Sequence, residues 1–129
     1  MENKLKYDDY HKFLKENEPL KKRVSEYLEY KYQLDSSLKG FSYMVDIISL
    51  SLILKKYSRT TIEHLKHFIA YKHDIKPFSV QRQLRYTCTV KSKYLPINIC
   101  EESWYTLRNE IEYGLIKIKQ KGENNTNEN

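Results

Sequence analysis

An all-α fold is predicted for this 129-residue chain by three observations. Only three Gly and three Pro are present, so long stretches run without breakers. Apolar residues recur at helical spacing in segment after segment, and the strongest apolar run, Tyr43 to Leu54, has the length of one central helix. A compact domain of about six helices, two of them forming a helix-turn-helix, is the expected architecture. A hydrophobic content of 40% and a charged content of 31% are ordinary for a soluble protein and allow a modest core.

The first helix is expected over Leu5 to Glu16, with Tyr10, Phe13 and Leu14 on one side. Pro19 then suits a first turn, so a second helix follows at once. Its stripe is Leu20, Val24, Tyr27, Leu28, Lys31 and Leu34. Asp35 to Gly40 is a polar break. Ser42 is the expected cap of a third helix running through Met44, Ile47, Ile48, Leu50 and Leu54 to about Tyr57, apolar on most sides and hence the most buried. Asp46 interrupts that run, which is in any case shorter than the roughly 20 residues needed to cross a bilayer.

Thr60 to Glu63 has capping-box spacing, and Ile62, Leu65, Phe68 and Ile69 give the fourth helix an inward face ending near Lys72. His73 to Lys76 is a short polar connection with Asp74 a possible cap, and Pro77 opens a fifth helix over 77–91. Asn98 to Glu101 reads as the start of a sixth. Trp104, Leu107, Ile111, Leu115 and Ile118 form its stripe, with Glu101 and Glu102 in the first turn and Lys117, Lys119 and Lys121 in the last. Residues 1–38 are thus expected as a helical hairpin extension, 39–119 as the main domain, and 120–129 as a polar, disordered tail.

Charge is distributed unevenly. The formal net charge is +6, and residues 76–95 carry five basic side chains and no acidic one, within an acid-free window between Asp74 and Glu101. Such a patch fits a polyanion, because contacts from Arg and Lys to phosphate release condensed counterions. Taking about 100° per residue along the fifth helix turns Val80, Leu84, Thr87 and Cys88 inward. Phe78, Arg82, Arg85, Tyr86 and Thr89 then lie outward. Two short helices joined by a few polar residues, the second with a basic outer face, is the arrangement that enters the major groove of double-stranded DNA.

The residues of this pair also carry a likeness. His67 to Arg85, with Ile69-Ala70 in the first helix and Val80-x-Arg82-x-x-Arg85 in the second, resembles the helix-turn-helix of the C-terminal effector domain of the stage-zero sporulation master regulator of spore-forming Firmicutes. Lys39 to Ile48 resembles the opening of that domain, and the interval from Gly40 to Ile69 matches without a gap. The likeness covers about Lys39 to Tyr94. It implies a transcription regulator that reads the major groove, commonly as two copies on neighbouring sites, whether as a homodimer or in tandem.

Arg82 and Arg85 fall on arginines that the family keeps, whereas Ser79 and Gln81 stand where it more usually has Arg and Glu. The family's regulator has an N-terminal phospho-acceptor domain, while only about 38 residues precede the match, so aspartyl phosphorylation is not expected here. Asp8 and Asp9 read as surface or capping residues.

Base reading is therefore assigned to Ser79, Gln81, Arg82 and Arg85. Arg82 suits guanine, and Gln81 or Gln83 suits adenine. Phosphate contacts are assigned to Lys76, Tyr86, Thr89, Lys91 and Lys93, with Arg85 serving either role. Other chemistries find little footing. No glycine-rich phosphate loop or activated nucleophile is present, and adjacent Glu101 and Glu102 diverge on a helix, so no enzyme and no cofactor are expected.

His64, His67 and His73 do not have zinc-module spacing, and Cys88 and Cys100 read as buried free thiols. The start of the chain has no apolar stretch typical of a secretory signal, so a cytoplasmic, nucleoid-associated protein is expected, of bacterial, plasmid or phage origin. The competing reading is a helical adaptor in which the hairpin or the Trp104 stripe docks a partner protein.

Overall fold

Every residue from Gly40 to Ile53 except Ser42 is buried, and the architecture follows from that one helix. The computed structural model describes residues 2–89 and 99–119. Within them run α1 (Glu2–Glu16), α2 (Glu18–Tyr32), α3 (Lys39–Leu54), α4 (Arg59–His73), α5 (Pro77–Thr89) and α6 (Ile99–Glu112). No strand occurs among the described residues, so the all-α expectation holds. A helix apolar all round must be covered all round, and α3 is touched by each of the other five.

The hairpin of α1 and α2 belongs to the same core. Tyr7 and Tyr10 pack on Phe68 of α4 with ring centroids 5.4 and 5.3 Å apart, and Tyr10 Oη lies 3.1 Å from His64 Nε2. Burial pushes the His64 imidazole below its ordinary pKa and the Tyr10 phenol above its own. Leu20, Val24, Tyr27 and Leu28 of α2 are buried as the stripe predicts, and Pro19 sits in its first turn. Between the helices Asn17 is buried. Its Nδ2 donates to the carbonyls of Phe13 (2.7 Å) and Lys119 (2.8 Å), and its Oδ1 accepts from the Lys119 N–H at 2.7 Å.

Two polar contacts tie the layers together. Asp46, buried on α3, accepts from Lys72 Nζ of α4 at 2.9 Å and lies 3.6 Å from Lys21 Nζ of α2. Arg23 of α2 grips Glu110 of α6 with two bonds, at 2.9 and 3.1 Å.

Local boundaries depart from the expectations at several points. α3 starts at Lys39 after an extended Leu38, and Ser42 Oγ donates back to the Lys39 carbonyl rather than capping. Burial of Gly40 and Phe41 draws the helix upstream. It stops at Leu54, where Lys55 takes a left-handed conformation, before Tyr57. The cap of α4 is Ser58, whose Oγ accepts from the Thr61 N–H at 3.1 Å, not Thr60, and Glu63 turns to Lys66 instead of closing a box.

The largest departure is at α6. It ends at Glu112, and Gly114, at φ +79, closes it with its N–H on the Ile111 carbonyl. The break rotates the stripe, so that Leu115 is exposed and Ile116 is buried in its place. Lys117 and Lys119 consequently lie beyond the helix, and the last helical turn holds no basic residue. The expectations for Lys91, Lys93, Asn98 and the tail 120–129 lie outside the described residues, as do the side chains of Cys100, Glu101 and Glu102.

Candidate nucleic-acid interface

The approach of α5 to the core is set by one residue with no side chain. A Cβ on Gly40 would overlap Thr87 Oγ1 and the Gln83 carbonyl, so α3 and α5 meet backbone to backbone at that point. Thr87 Oγ1 itself donates to the Gln83 carbonyl at 2.8 Å, which satisfies its hydroxyl inside the contact. Val80 and Thr87 are buried, and Leu84 and the Cys88 thiol are half-buried, with burial raising the thiol's pKa. These are the four residues expected to face inward.

The link from α4 is three residues long. Asp74 adopts φ 53, a left-handed end to α4, and the Ile75 N–H bonds the Ala70 carbonyl at 3.0 Å. Ile75 packs against the core, and Pro77 begins α5 directly after Lys76.

Opposite the core, Phe78 and Tyr86 are 69% and 53% exposed, and Arg82, Arg85 and Thr89 are exposed beside them. The Arg82 guanidinium lies 5.8 Å from the Phe78 ring centroid, a cation–π contact that holds it over the helix. Among the described residues neither Arg82 nor Arg85 pairs with a carboxylate. Lys76 is exposed at the head of the helix, and the Thr89 hydroxyl donates to the Arg85 and Tyr86 carbonyls at 3.0 and 3.3 Å.

Two assigned residues flank that face and are less exposed than its centre. Ser79 is half-buried, and Gln81 is half-buried and turned toward α4, where its Oε1 accepts from Lys66 Nζ at 2.7 Å. The sequence reasoning missed Lys66, since nothing in its spacing from Gln81 announces a contact between two helices.

A cleft of about 480 Å³ between α1, α2 and α4 offers a contrast. Its lining includes Asp8, Lys12, Lys15, Glu18, Lys21 and Lys72, so both signs are interleaved and no single class of ion is selected. Two of the three histidines make aromatic or polar contacts within the fold: His64 meets Tyr10, and His73 lies 4.9 Å from the Tyr43 ring centroid at a tilt of 47°. Among the described residues no three His, Cys, Asp or Glu side chains converge as metal ligands. No described helix is long and apolar enough to cross a membrane.

Comparison with known proteins yields no match, whether to a family model, a curated protein or a solved structure.

Proposed function

We propose that this protein binds double-stranded DNA, with α5 lying in the major groove and α4 packed behind it as the supporting helix of a helix-turn-helix. The observation that carries the reading is the outer face of α5, where Arg82 and Arg85 project without a carboxylate partner from a helix that has none of its own. Arg82 serves as a guanine-reading residue, Arg85 as a base or phosphate contact, and Lys76, Tyr86 and Thr89 as phosphate contacts. The likeness of residues 39–94 to the sporulation effector domain supports a role as a transcription regulator acting as a dimer or in tandem.

The test is binding to genomic DNA fragments at several salt concentrations. Affinity should fall steeply with salt, and the double variant Arg82→Ala, Arg85→Ala should lose sequence preference. Unchanged binding by that variant would remove α5 from the interface. The alternative is a helical adaptor in which the α1–α2 hairpin or the Trp104 stripe docks a partner protein; of that stripe, Leu107 is buried and Trp104 stacks 4.2 Å from Tyr57 within the fold.

A further inference from the structure

One side chain of α5 has its orientation set from the neighbouring helix. Lys66 of α4 places Nζ 2.7 Å from Gln81 Oε1 and 2.9 Å from Glu63 Oε2, and its side chain is 16% exposed. The bond to Gln81 is charge-assisted and part-buried, while Glu63, on the exposed side, is a second acceptor for the same ammonium. An ammonium has donors only, so the Gln81 atom that meets it is the carbonyl oxygen. The amide N–H groups therefore occupy the other arm of the planar group.

That orientation bears on base choice. Adenine is read by glutamine through both arms at once, the N–H to N7 and the carbonyl from the N6 amino group. Guanine presents two acceptors, O6 and N7, and is met by donors alone. We propose that Lys66 is a positioning residue that determines specificity. By holding Oε1 toward α4 it leaves Gln81 facing DNA as a donor, and the base pair opposite Gln81 is read as guanine rather than adenine. The inference rests on the DNA-binding reading of α5 and changes the partner expected for Gln81 from adenine to guanine. Glu63 contributes by anchoring the ammonium from the α4 side.

The experiment is selection of bound sequences from a random-sequence duplex library by the full-length protein and by four variants: Lys66→Met, Lys66→Arg, Gln81→Ala, and Lys66→Met with Gln81→Ala. Lys66→Met should move the preference at one base pair from guanine toward adenine by roughly fivefold or more, the scale of one side-chain hydrogen bond to a base edge. Lys66→Arg retains a donor and should keep guanine. In the Gln81→Ala background the Lys66→Met change should move nothing, which a general effect of lost charge or altered folding would not reproduce.

The inference is overturned if Lys66→Met selects the same motif as the unaltered protein, or if its shift persists without Gln81. It is also overturned if Gln81→Ala erases an adenine preference. If the unaltered protein selects no motif, the DNA-binding reading fails and takes this inference with it. The two failures are distinct, because the first three outcomes all require a motif to be present.

Discussion

α5 and α6 are short amphipathic helices of 13 and 14 residues that both dock on α3, yet they place their charges in opposite ways. On α6, Arg108 lies about 6 Å over the rings of Tyr57 (5.9 Å) and Trp104 (6.0 Å) and 3.5 Å from Glu112, while Glu110 is held by Arg23. Glu110 thereby ties α6 to α2, and Arg108 has a carboxylate partner on its own helix, so both charges are paired within the fold. On α5, Arg82 and Arg85 face away from the core, and the one ring beneath Arg82 positions it without neutralising it. The two helices thus differ in composition, with four Glu and one Arg on α6 against two Arg and no carboxylate on α5, and with it in whether their arginines meet a carboxylate within the fold.

The largest effect should come from removing the close approach that holds α5. Gly40→Ala forces the methyl group into Thr87 and the Gln83 backbone, with a cost of about 3 kcal/mol on overpacking grounds, measurable by chemical denaturation. Gly114→Ala is the matching control. Its Cβ meets open space, so only the positive φ opposes it and about 1 kcal/mol is expected. Equal losses at the two glycines would mean that α5 is not held at Gly40.

Next in size is the double variant Arg82→Ala, Arg85→Ala. It should weaken DNA affinity by tenfold or more while stability stays within about 0.5 kcal/mol, since exposed side chains with no carboxylate partner carry little of the fold. Arg23→Ala should do the reverse. It strands Glu110, whose side chain is 17% exposed, and should destabilise by about 2 kcal/mol with DNA affinity unchanged. A loss of DNA binding in a folded Arg23→Ala protein would erase the contrast between the two helices.

The smallest effect is a pH dependence from the α1–α4 contact. Burial lowers the pKa of His64 from its ordinary 6.5, so the folded state favours the neutral ring. Between that lowered value and 6.5 the unfolded chain binds more protons. The stabilisation is therefore complete above about 6.5 and is lost as pH falls through the folded value. Denaturation midpoints measured across that range should show a slope that His64→Gln reduces. His73 is lowered for the same first reason and leaves a residual slope.

Helix identity and the inward faces of α2 to α5 were legible in the sequence because they depend on spacing alone. Val80, Thr87 and Arg82 fall where a rotation of about 100° per residue puts them. Helix ends were less so. Ser58 and Thr60 are both good capping residues, and Ser58 prevails because its Oγ reaches the Thr61 N–H. Gly114 breaks α6 although the apolar stripe continues past it in sequence, since an α-helical period does not register a left-handed residue.

Long-range polar partners were not legible at all. Asp46 looked like an interruption of a core run and is the carboxylate on which Lys72 and Lys21 converge. Gln81 is assigned to a base edge from the sequence, and its partner within the fold lies one helix earlier.

The Asn17 clasp carries a consequence for the order of assembly. Its bonds to Lys119 join positions 102 residues apart, so they can close only after the α1–α2 corner and the segment following α6 have met. A polar contact of such sequence separation is expected to close after the rate-limiting barrier. Asn17→Ala should accordingly raise the unfolding rate while leaving the refolding rate nearly unchanged in stopped-flow measurements. The clasp then acts as a kinetic latch, which governs how long the protein stays folded rather than how quickly it folds.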